Sequence, residues 1–164
     1  MRLLISDANI LIDMEVGGLI QTMFRLSGYR FAVPDVLFAE ELEHHHPTLQ
    51  DLGLDVLSLA PASVQDAVAL VGRHTATGVS RNDLLALALA RQEGCPLLTG
   101  DRRLREVANT EQVEVKGTLW LMERLLASGV IGLAEAARAY DAMRNGGRRL
   151  PWDEVKRQLA RLSK

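Results

Sequence analysis

Four acidic residues, Asp7, Glu40, Asp83 and Asp101, stand at positions of the 164-residue chain where an α/β protein would gather its ligands. The strongest signal is the stretch Ser80 to Arg105, SRNDLLALALARQEGCPLLTGDRRLR. Ser80 suits a helix N-cap, Leu84 to Ala90 is apolar on nearly every face, and Gly94 is a stop. A helix of that kind must be buried. The run Cys95-Pro96-Leu97-Leu98-Thr99 then has strand length, Gly100 ends it, and Asp101 follows at once. If helix and strand pack as a βα unit, Asp83 and Asp101 face one crevice beyond the strand's carboxyl end. Each acid also fits an ordinary helix start, Asp83 in a first turn and Asp101 as the cap of a helix begun by Arg102.

Carboxylates brought together repel one another, which favours protonation of some of them unless cations neutralise the group. Hard oxygen donors with few histidines suit Mg2+ or Mn2+ better than zinc. A divalent ion there can supply a nucleophile at neutral pH and offset charge building on a phosphodiester. That is nuclease chemistry. The triplet His44-His45-His46 cannot point one way on a helix and reads as a solvated helix end.

The elements that must position these acids follow from the hydrophobic pattern. Arg2 to Ser6 reads as a first, central strand with Asp7 at its carboxyl end, and Ala8 onward is helical until Gly17-Gly18. A second helix is expected from Leu19 to Ser27 and a second strand at Phe31 to Val33. Pro34 and Asp35 start a helix on which Glu40 shares the side of Val36 and Leu37, and Glu41 that of Leu37 and Phe38. The choice between these two glutamates stays open. Val56 to Leu59 is a third strand, and Ser63 is expected to cap a helix striped by Val64, Ala67, Val68 and Val71. Val113 to Val115 is the last strand. Helices from Thr118, Leu133 and Pro151 complete the chain. Alternating strands and helices with a helical tail predict an α/β sandwich, one domain with its core over about 1–116 and an extension over about 117–164.

A chain of this length can bury a sizeable core, and 48% hydrophobic with 24% charged residues is ordinary for a globular protein. The net charge of −2 argues against coating nucleic acid through bulk electrostatics. Between Arg144 and Lys164, however, seven Lys or Arg oppose only Asp153 and Glu154, a basic segment joined to an acidic body. The single cysteine, Cys95, excludes a disulfide framework and fits a reducing compartment. Met1 to Ser6 is too short for a signal peptide and no segment is long enough to span a bilayer, so no membrane partner and a cytoplasmic location are expected.

SDANILID around Asp7, VPDVLFAE ending at Glu40, and SRNDLLALALARQEGCPLLTGDRRLREVA resemble the PIN domain family, which includes the VapC-type toxins of bacteria and archaea. The tail from VKGTLWLMERLLASGVIG to LPWDEVKRQL resembles a prokaryotic PIN subgroup with a helical C-terminal extension. The resemblance implies a three-layer sandwich on a parallel sheet of order 3-2-1-4-5 and an endoribonuclease dependent on Mg2+ or Mn2+. It places Asp7, Glu40, Asp83 and Asp101 in the acidic catalytic set, with Asp7, Asp83 and Asp101 toward metal and Asn9 and Thr99 in support. Arg102, Arg103 and Arg105 are then candidates for RNA phosphate. It also implies a cognate antitoxin and a homodimer.

Two other readings compete. The same fold could bind RNA or a protein without cutting. A phosphoacceptor signalling domain is opposed by the third strand, where Ala60-Pro61 follows VLSL and Asp55 lies at the wrong end.

Overall fold

Five short parallel strands form the centre of the structure, a computed structural model that describes every residue from Met1 to Lys164. They are β1 (Arg2–Ser6), β2 (Tyr29–Pro34), β3 (Asp55–Leu57), β4 (Leu97–Leu98) and β5 (Val115–Lys116), in the expected order β3-β2-β1-β4-β5. Helices cover both faces, so a central strand can be apolar on each side. Leu4, Ile5, Phe31, Ala32, Val33, Leu97 and Leu98 are all buried. The strand order reverses between β1 and β4, paired as Ile5 with Leu97 and Ser6 with Leu98. An α/β sheet opens its ligand crevice at such a reversal.

The helices are α1 (Ala8–Val16), α2 (Ile20–Phe24), α3 (Asp35–Leu37), α4 (Leu49–Leu52), α5 (Pro61–His74), α6 (Arg81–Glu93), α7 (Arg102–Thr110), α8 (Thr118–Ala127), α9 (Leu133–Asn145) and α10 (Trp152–Leu162). The central helix α6 follows its signals closely. Ser80 Oγ accepts from Asp83 N at 3.1 Å, and Gly94 takes the left-handed conformation at φ 63° that ends the helix. Leu84 and the run Ala86 to Ala90 are buried, as an all-round apolar helix requires.

Several local expectations differ, and β3 ends at Leu57 rather than Leu59 while β5 is Val115–Lys116 rather than Val113 to Val115. Helix α2 is five residues long rather than reaching Ser27, and β4 is only Leu97–Leu98 because Pro96 has no N–H to donate to a ladder. In α5, which begins at Pro61 instead of Ser63, Ala67 and Leu70 are buried while Val64 and Val68 are 47% and 67% exposed. The expected stripe is thus half wrong, since the buried line lies one step around the helix. After α3 the chain widens into a π-helical turn over Phe38–Leu42, with Glu43 N donating to Phe38 O at 2.8 Å. Facing rules for 3.6 residues per turn fail there.

The buried hydrophobic cluster continues from Leu4 through to Val155, so α8 to α10 share it. Close approach of α9 to α1 depends on two glycines. A Cβ at Gly17 would stand 2.7 Å from Met143 Cε, and one at Gly146 2.6 Å from Val16 Cγ1. Tyr140 OH donates to Gln158 Oε1 at 2.5 Å and Gln158 Nε2 to Leu119 O at 2.8 Å, joining α8, α9 and α10 through buried polar groups. No helix is long and apolar enough to cross a membrane.

Candidate active site

Asp7 ends β1 at the strand reversal and is fully buried. Its backbone N–H extends the sheet by donating to Leu98 O at 3.0 Å, which fixes the side chain over the crevice. As N-cap of α1, Asp7 accepts from Ile10 N at 3.0 Å through Oδ1. Thr99, the residue after β4, donates from Oγ1 to Asp7 Oδ2 at 2.5 Å and accepts from Asp101 N at 3.0 Å. One threonine hydroxyl therefore links two of the acids.

Burial pushes the Asp7 carboxyl up to about 7, opposed by the hydrogen bonds from Thr99 and Ile10 and reinforced by the charges of Asp83 and Asp13. Asp83, in the first turn of α6, is also raised, mainly by burial, against the bond from Ser80 and with further upward pressure from Asp101 and Glu41. Asp101 caps α7, accepting from Arg103 N at 2.8 Å through Oδ1. The charge of Asp83 thus acts on Asp7, and that of Asp101 on Asp83.

The glutamates separate. Both oxygens of Glu40 are held by Arg81, in an exposed ion pair. Glu41 Oε2 accepts from Asn82 Nδ2 at 3.0 Å, and its charge acts on Asp83. The π-helical turn places these neighbours on different partners, which a regular-helix reading of the sequence could not resolve.

The supporting residues also divide. Thr99 sits among the acids, whereas the Asn9 side chain is exposed and its Oδ1 accepts from Arg148 at 3.3 Å. Arg148 Nε also donates to Asp13 Oδ1 at 2.6 Å, and Thr118 Oγ1 donates to Asp13 Oδ2 at 3.0 Å. Asp13, 5% exposed, is the acid that sequence reasoning missed. The signal was an acid at 13 inside an apolar helix start, but its partner lies 135 residues away. Of the three arginines, Arg102 pairs with Glu106 in the next turn, Arg103 lies against Gly78, and Arg105 lines a cavity beside Gly100.

No three Asp, Glu, His or Cys side chains stand close enough to enclose a metal ion. The donor chemistry nevertheless fits Mg2+ or Mn2+. Mg2+ retains waters and is commonly held by one or two carboxylates together with substrate phosphate. The buried Asn82 Oδ1, beside Glu41, has no hydrogen-bond donor, an acceptor that a hydrated cation would satisfy.

A parallel α/β sheet with a buried aspartate at its strand reversal and further carboxylates around it defines an acidic-site α/β protein. Residues 3–164 match the family model described as PIN domain, and the chain belongs to that family. No curated protein matches the sequence. Among solved structures, PAE2754 from Pyrobaculum aerophilum is similar at TM-score 0.54 and 15% identity, covering 77% of this chain and 98% of that one. VapBC2 from Rickettsia felis, bound to a DNA fragment from its promoter, gives TM-score 0.49 and 15% identity over 70% of this chain and 98% of that one. A PilT N-terminus domain protein from Sulfolobus solfataricus gives 0.47 and 14% over 78% and 92%.

Proposed function

We propose that the protein is an endoribonuclease that hydrolyses RNA phosphodiester bonds with Mg2+ or Mn2+. The observation that carries this reading is Asp7: a fully buried carboxyl at the strand reversal, pushed up to about 7 and within the field of Asp83. A group so placed gains most from a divalent cation, which would remove the charge repulsion that burial intensifies. Asp7, Asp83 and Asp101 would hold the ion, at least one of them through water, and the ion would offset charge on the phosphodiester.

This chain's own groups do the rest. Thr99 fixes the rotamer of Asp7 and the start of α7 together, so the carboxylate geometry is set before substrate arrives. Glu41, rather than Glu40, orients the attacking water or receives its proton, because Glu41 acts on Asp83 while Arg81 occupies Glu40. The test is cleavage of RNA in Mg2+ or Mn2+. Loss of activity in Asp7→Asn and Asp101→Asn supports the mechanism, and undiminished activity in either removes it.

The resemblance to VapC-type sequences adds a toxin role, neutralised by a cognate antitoxin, in a homodimer acting in the cytoplasm. The absence of three converging acids keeps one alternative in view, a PIN module that binds RNA or protein without cutting. Metal binding with no turnover on any RNA would favour it.

A further inference from the structure

Beside the acidic crevice lies a cavity of about 470 Å³ walled partly by the C-terminal extension. Gly100, between Thr99 and Asp101, lines it and joins it to the acids. Three cationic residues share the wall: Arg105, Lys116 and Arg149. Arg105 lies one turn after Asp101, to whose carbonyl its N–H donates at 2.9 Å. Neither Arg105 nor Arg149 has a carboxylate within 4 Å, and both are exposed. Lys116 pairs with Glu114 at 2.9 Å, and its Nζ lies 5.5 Å from the centre of the Trp120 ring. Of the two acids on the wall, Asp13 is already answered by Arg148, which leaves Glu154.

The cavity is therefore positive next to a negative crevice. It also holds an aromatic ring, Trp120, and an amide, Asn109, which a bare phosphate would not use. Its volume falls within the range of sites for small organic ligands. Single-stranded RNA is recognised through stacking or packing on aromatics, polar contacts to base edges, and cations on the phosphates. An acidic peptide would answer the arginines but leave the ring and the amide without a role.

We propose that this cavity binds one ribonucleotide of the RNA strand adjacent to the cleaved bond, its phosphate on Arg105 and Arg149 and its base against Trp120 and Asn109. The inference rests on the ribonuclease reading for its substrate class and adds to it a site of base selection. The extension sets the geometry: Arg148, bonded to Asp13 and Asn9, anchors the turn that carries Arg149 to the cavity.

The chain has two tryptophans, so Trp152→Phe leaves Trp120 as the only one. Ribonucleoside 5′-monophosphates titrated into this variant in EDTA should change its fluorescence saturably, one base more tightly than the others and inorganic phosphate more weakly. Arg105→Ala and Arg149→Ala should each weaken the preferred nucleotide about tenfold, the size of one charge-assisted contact. In the otherwise native chain, Arg149→Ala should raise KM for RNA by a similar factor with kcat nearly unchanged. No saturable change in the millimolar range, unchanged affinity in both arginine variants, or tighter binding of an acidic peptide would overturn the proposal. Nucleotide binding without any RNA cleavage would leave the cavity assigned and remove the nuclease. Cleavage with KM and site choice unaltered by Arg149→Ala would do the reverse.

Discussion

Asp7 is held between two demands. Its position at the end of β1 requires burial, and burial disfavours the charge that the proposed metal binding requires. The ordinary value is 3.8 and the folded value about 7, so between them the folded state retains a proton that the unfolded state has released. Stability from this group therefore declines as pH rises through that window, and the penalty is complete above the folded value. In EDTA at pH 8, Asp7→Asn should raise stability by about 2 kcal/mol and Tm by about 5 °C, while abolishing cleavage. Mn2+ should raise the wild-type Tm more at pH 8 than at pH 5, with no such rise in Asp7→Asn. A loss of stability in the metal-free variant would contradict the burial argument. At the neighbouring turn, Glu41→Gln should lower kcat by about a hundredfold and Glu40→Gln by less than about threefold. Single-turnover assays of the two variants decide which glutamate acts. The places of the acids at 7, 83 and 101, each after a strand or at a helix start, were legible in the sequence pattern. The choice of glutamate was not, since the π-helical turn shifts facing by a fraction of a turn that no apolar period reports. Asp13 was illegible for a different reason: its cation comes from the far end of the chain.

At the level of elements, α1 couples the site to the extension. Its N-cap is Asp7, its second turn carries Asp13, and its end meets α9 at Gly17 and Gly146. Arg148→Ala would strand Asp13 in an interior where only Thr118 remains to answer it, and should cost about 3 kcal/mol in chemical denaturation. Arg102→Ala, which breaks a pair open to solvent, should change stability by less than about 0.5 kcal/mol. Equal effects of the two would remove the anchoring role. A second joint is Glu111, after α7, which accepts from Arg73 and His74 of α5 and Arg91 of α6. Those bonds hold its carboxyl down at about 2, below the ordinary 4.5. The stabilisation is present above pH 4.5 and disappears as pH falls toward 2, so Glu111→Gln should flatten acid unfolding across that interval. The sheet and the burial of α6 could be read from apolar runs and cap residues, whereas the strand order followed from the resemblance to PIN domains. The line of α5 could not, because the helix starts at Pro61 and turns Val64 and Val68 outward.

For the whole molecule, charge is divided between neighbouring surfaces. Carboxylates occupy the strand reversal, and Arg105, Lys116 and Arg149 line the cavity beside it, the last brought there by the extension. The basic segment seen in the sequence is thus partly a wall of a cavity rather than wholly a solvated helix face, which required the fold to reveal. The central claim is that the buried carboxyl at the strand reversal is the seat of metal-dependent RNA hydrolysis. Its most direct measurement is the rate of RNA cleavage with Mn2+ for wild type and Asp7→Asn, each first verified as folded by thermal unfolding. The account predicts multiple turnover in the wild type, none in EDTA, and a loss of at least about a thousandfold in the variant. A folded Asp7→Asn protein that cuts RNA at the wild-type rate would contradict it.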